Sequence, residues 1–118
     1  MATFEEAVEE RRRLLQEALD EIADRTREQF AEREQQLQIE LQGLNARIEA
    51  EKEALEEPRA RGEATAEIEA EIAALRRQSE EEQRAYNNEV AEFQDAEEKK
   101  AKKNHAAAIR RIRALQGA

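Results

Sequence analysis

Few side chains in this 118-residue sequence are equipped for chemistry. The single histidine, His105, sits in KKNHAAA, and carboxylates cluster as Glu5-Glu6 and Glu80-Glu81-Glu82. A di-iron site built on helices needs Glu-x-x-His motifs projecting inward. Here the residue three before His105 is Lys102, so His105 reads as a solvated side chain and the glutamates as water-facing helix surface. Without cysteine there is neither a thiolate metal site nor a disulfide framework. No Gly-rich phosphate loop, nucleophile elbow or EF-hand loop occurs. Catalytic, cofactor and metal sites are therefore expected to be absent, and the chain reads as no enzyme.

The other reactive feature is a block of charge. Between Lys99 and Arg113 lie seven cations and no acid: Lys99, Lys100, Lys102, Lys103, Arg110, Arg111 and Arg113. Such a run could hold phosphates or an anionic membrane, or contact a protein partner. Residues 1–21 and 99–118 together carry ten basic and seven acidic groups, +3, while residues 22–98 carry ten basic and twenty-two acidic, −12, which together make the net −9. Acids of the first helix are expected opposite the basic run, Glu9 and Glu10 near Arg111 and Arg110, which favours internal charge matching. The overall charge disfavours general nucleic-acid binding, and no apolar run approaches the ~20 residues of a membrane span.

What positions these groups is helix. Charged residues make up 42%, aromatics 3%, with three glycines and one proline. Ala, Glu, Arg, Gln and Leu dominate, all strong helix formers. Thr3-Phe4-Glu5-Glu6 is a capping box at a helix start. Helix 1 is expected over about 3–57, a turn over 58–63 and helix 2 over about 64–116, forming one helical hairpin across 1–118. Pro58 ends the first helix because it lacks the N–H and displaces residue 57 from helical angles. Gly62 supplies a position tolerant of positive φ, and Thr65 caps the second helix.

Apolar residues stride by eleven: Phe4, Leu15, Thr26, Leu37, Ile48; then Val8, Leu19, Phe30, Leu41; then Ile22, Leu44, Leu55, with Arg11 and Arg33 completing the third series. The second half carries Ile68, Ile72, Leu75, Tyr86, Val90, Phe93, Ile112 and Leu115 at related spacing, with Ser79, Ala101 and Ala108. An eleven-residue repeat is 3.67 residues per turn, which predicts nearly straight or slightly right-handed pairing. Folding the chain at residue 60 sets Val8 on Ile112, Phe30 on Val90, Arg33 on Tyr86, Phe4 on Leu115 and Arg25 near Asp95. The predicted fold is thus all-α, an antiparallel two-helix coiled-coil hairpin with a hendecad-like repeat. Two unbroken helices packed antiparallel as a dimer would place the same residues opposite, but Pro58 inside a helix costs ~3 kcal/mol.

A two-helix seam interrupted by Thr26, Arg33, Ser79 and Glu97 buries little, so further packing is expected, into a dimer or with partner helices. Leu14, Ile39 and Ile109 beside the seam are candidates for that contact. The expected function is a structural or adaptor coiled-coil subunit that docks helical proteins, with polyanion binding through Lys99–Arg113 as the alternative. The acidic start, MATFEEAVEE, lacks the basic region of a secretory signal, so a cytoplasmic location is expected.

Overall fold

The computed structural model describes residues 3–117. It is an all-α helical hairpin of two elements, α1 (Phe4–Ala60) and α2 (Ala66–Gly117), of 57 and 52 residues. Thr3 caps α1, its Oγ1 accepting the Glu6 N–H at 3.1 Å, which satisfies one of the orphan amides of the first turn. Glu5 and Glu6 add negative charge at the positive end of the helix dipole.

The chain turns between Ala60 and Ala66, and α1 runs three residues further than its sequence predicts. Glu57 stays helical and Pro58 lies inside the helix. Pro58 does withhold one N–H from the Ala54 carbonyl. The reason the helix survives it lies downstream, in bonds that only a continued helix can make. The Pro58 carbonyl accepts the Glu63 N–H at 2.9 Å and the Arg59 carbonyl accepts the Gly62 N–H at 3.1 Å, while Gly62 sits at φ 74°. That bond pair around a left-handed residue is a Schellman closure. An Arg59–Glu69 ion pair of 2.8 Å spans the turn. Thr65 precedes the first helical residue, and its carbonyl accepts the Glu69 N–H at 3.0 Å. The turn is therefore residues 61–65 rather than 58–63, and α2 begins at Ala66 rather than near Ala64.

Two compact units make up the hairpin: Met1–Phe30 with Val90–Ala118, and Ala31–Glu89. In the second, Leu44, Ile48, Leu55, Ile72 and Leu75 form a buried aliphatic cluster with Ile68 packed against it. Burying each such side chain is worth about 1.5–3 kcal/mol. In the first, Ile22, Thr26 and Ala108 are buried. The buried residues of α1 (Ile22, Thr26, Leu37, Leu44, Ile48 and Leu55) all fall on two of the three eleven-residue series. The second series, Val8, Leu19, Phe30 and Leu41, is half-buried.

The facing pairs are offset from the expected alignment. In the first unit, Arg25 reaches Glu97 at 3.8 Å rather than Asp95. Phe30 meets Phe93 edge-on with ring centroids 5.6 Å apart, rather than Val90. In the second, Arg33 pairs with Glu89, and its charge also bears on Tyr86. The offset is two or three residues, and it has the same origin as the helix end: α1 continues past Pro58, so the point of reversal moves toward the C-terminus.

Candidate functional site

Residue by residue, most of the expected seam is covered. Ile22, Leu37, Leu44, Ile48, Leu55, Ile72 and Leu75 are buried, and Phe4, Val8, Leu15, Leu19, Phe30, Leu41, Ile68, Tyr86, Val90, Phe93 and Ile112 are half-buried. Leu115 departs from the expectation, at 79% exposed. Extending the observed register to that end sets Ala7 rather than Phe4 against it, and a methyl group is too small to cover a leucine. Thr26 and Ala108 belong to the buried set as well. Thr26 is 3% exposed and donates its hydroxyl to the Ile22 carbonyl at 2.7 Å, which makes a polar side chain acceptable inside the seam.

Within the first unit, α1 and α2 leave a groove of about 390 Å³. Its apolar lining is Leu14, Leu15, Ala18, Ile22, Ala101 and Ala108, and its rim carries Arg11, Arg25, Lys100, Glu21 and Glu97. Three of the residues that line it, Ala18, Ala101 and Ala108, have short side chains. Leu14 stands at its edge, 38% exposed. His105, read from sequence as solvated, instead lines the groove half-buried, with its Nδ1 buried and without a hydrogen-bond partner. The eleven-residue pattern carried no signal for that placement, because His105 lies next to a seam position rather than on one.

All seven cations of the basic run, Lys99, Lys100, Lys102, Lys103, Arg110, Arg111 and Arg113, are exposed. Lys100 approaches Glu97 at 3.5 Å. The other six have no carboxylate within 4.0 Å among the described residues. The acids expected to match them are occupied along α1 itself. Glu9 pairs with Arg12 at 2.7 Å, and Glu10 pairs with Arg13. The Arg13 hydrogen bond holds the Glu10 carboxyl below the usual range, and Glu10 in turn raises Arg13. Internal matching between the two helices is thus not how this charge is met.

In the second unit, Ile39 is 69% exposed on a face of α1 shared with Ala31, Glu34, Gln35 and Gln38, all exposed. Those positions follow the i, i+3, i+4, i+7, i+8 spacing of one helix face. Tyr86 is half-buried, and its hydroxyl titrates above its ordinary value through desolvation first and the Glu34 charge second, opposed by Arg33.

Nearer the turn, Glu51 and Glu71 face each other across the helices. A hydrogen bond shared with Glu71, then partial desolvation, then Glu71's charge raise the Glu51 carboxyl, opposed by Arg47. A carboxyl raised in the folded state gives stability that is present at low pH and is lost as pH rises through the folded value. Glu51→Gln keeps a donor for Glu71 and removes the repulsion. It is therefore expected to resist urea better than the parent at pH 7, with an advantage that shrinks on acidification into the carboxylate range. Equal midpoints at pH 7 would remove this account of the pair.

Among the described residues no group of three or more His, Asp or Glu side chains converges as a metal site. Among the described residues, too, no helix is long and apolar enough to cross a membrane. No family model matches the chain, and neither a curated protein nor a solved structure matches it.

Proposed function

We propose that this chain is a non-enzymatic structural or adaptor subunit, a coiled-coil hairpin whose helix faces dock other helical proteins. The observation that carries this reading is the thinness of the interior. None of the described side chains is less than 2% exposed, while Leu14, Ile39 and Leu115 present apolar surface. Two helices cover one face of each other and leave the rest to solvent or to a partner. A catalytic pocket needs convergent groups in a dry concavity, whereas a docking helix needs a shallow groove with an apolar edge and a charged rim.

A photo-crosslinking residue placed at Leu14 or Ile39, in the cell that makes the protein, tests the reading. Discrete crosslinked protein species, repeated at both positions, are expected. Their absence at both, with the chain folded and abundant, would overturn it.

The six cations of Lys99–Arg113 without a carboxylate partner support a second reading, attachment to a polyanion such as nucleic acid or an anionic membrane. Salt separates the two, because binding through phosphates weakens steeply with salt, while docking through apolar faces does not.

A further inference from the structure

We infer that α2 lays two clusters of cations, Lys99 with Lys102 and Lys103, and Arg110 with Arg111 and Arg113, on the two phosphate backbones that flank the major groove of a DNA duplex, without reading its sequence. The inference rests on the polyanion reading and names the ligand for it.

Spacing is the first argument. KKAK at 99–102 recurs as RRIR at 110–113, eleven residues on. At that stride Arg110 returns to the side of the helix that carries Lys99, and Arg113 to the side of Lys102. Lys103 follows Lys99 by one turn on the same side. The helix is continuous through both clusters, and all six cations are exposed. Seven residue steps separate Lys103 from Arg110, a rise of about 10.5 Å, against a B-DNA major groove about 12 Å wide. The exposed side chains over that gap, Asn104 and Ala106, are short, so the helix can lie flat with one cluster on each backbone. Contacts of this kind fix position and carry no sequence information.

The local uses of such charge are absent. No cation lies in the last turn of α2, where the helix dipole would favour one. The acids that precede the run are engaged: Glu97 with Arg25 and Lys100, and Glu98 as acceptor from Gln94 at 3.0 Å. Lys99–Lys102, Lys99–Lys103 and Arg110–Arg113 are like-charge pairs at i+3 and i+4, which weaken a helix until an anion relieves them. The net −9 does not arise here, since residues 1–21 and 99–118 together are +3. A membrane fits less well than a duplex. The large aliphatic side chains of this stretch, Ile109 and Ile112, are half-buried, whereas an interfacial helix inserts its apolar face among the lipids.

Fluorescence anisotropy on the full chain, with a labelled mixed-sequence DNA duplex a few helical turns long, decides it. Binding is expected to weaken about 10³-fold for a roughly fourfold rise in salt, as six neutralised phosphates require. Changing either cluster to glutamine (Lys99, Lys102 and Lys103, or Arg110, Arg111 and Arg113) is expected to cut that response to about 40-fold, because about three contacts remain. Changing the three arginines to lysine keeps the charge and should preserve the parent's response to salt. Circular dichroism checks that each variant stays helical. A second duplex of different sequence is expected to bind equally, and the single strand more weakly. The inference falls if the single strand binds as well as the duplex, or if removing one cluster leaves affinity and salt response unchanged. Binding to phosphatidylserine vesicles without binding to the duplex also overturns it, while sparing the polyanion reading. Binding to neither overturns both.

Discussion

Leu44→Ala is expected to lower the unfolding free energy by about 2–4 kcal/mol, read from urea denaturation followed at 222 nm. Leu44 is 6% exposed and belongs to the cluster with Ile48, Leu55, Ile72 and Leu75. Truncation there removes transfer free energy and leaves a gap that two long helices cannot readily close. Alanine's better helix propensity returns only a few tenths of a kcal/mol. The same change at Ile39, 69% exposed, should alter monomer stability by less than about 0.5 kcal/mol. The contrast is what makes the test sharp. A loss at Leu44 below about 1 kcal/mol would mean that the cluster around it is not what holds the second unit together.

The second large effect concerns two glycines, for which one chemical change should act with opposite signs. Gly62 has φ 74°, and a methyl group added there would meet nothing within 4 Å. The cost of Gly62→Ala is therefore backbone strain alone, about 1–2 kcal/mol for an L-residue held left-handed. Gly43 lies inside α1 and also has open space around its would-be methyl. Gly43→Ala should stabilise by about 0.5–1 kcal/mol through lower chain entropy in the unfolded state and better helix propensity. If both changes move the denaturation midpoint in the same direction, the left-handed closure of α1 is not the feature that fixes the turn.

Much of this architecture was legible in the residues. Pro58 and Gly62 in one short window located the reversal, because no other part of the chain contains two breakers. The eleven-residue stride located the buried side of α1, because Ile22, Leu37, Leu44, Ile48 and Leu55 are spaced to return to one side of a helix. What escaped was set by bonds rather than by residue types. The helix passes Pro58 because Glu63 and Gly62 donate to carbonyls that exist in place only if it does, and propensity scores each residue without that later gain. Three residues of extra helix then shifted the partners of Arg25 and Phe30 along α2. That displacement is why Arg25 finds Glu97 and why Leu115 lost its cover. It also accounts for Glu51 and Glu71 coming together where no repulsive pair had been foreseen. The groove was hidden for a different reason: Ala18, Ala101 and Ala108 in its lining carry little apolar signal. The basic run was read correctly as a charge feature. Its expected partners were not, since pairing along a helix at i+3 and i+4 needs no reversal of the chain and captured Glu9 and Glu10 first.

The brevity of the turn also has a consequence in time. Residues on either side of it are near neighbours in sequence: Leu55 and Ile72, both in the aliphatic cluster, are separated by far less chain than the 63 positions between Phe30 and Phe93. Loop-closure entropy rises with the logarithm of that separation, so the aromatic pair costs about 1 kcal/mol more to bring together from an open chain. Assembly is cheapest beside Gly62 and lengthens outward as each turn of helix shortens the loop left to close. The last contacts to form are those nearest the chain ends, among them the half-buried Phe4, Val8 and Ile112. The hairpin is thus a zipper with its slider at the glycine. The groove beside Leu14, at the far end of that process, comes into being only when the rest of the molecule is already closed.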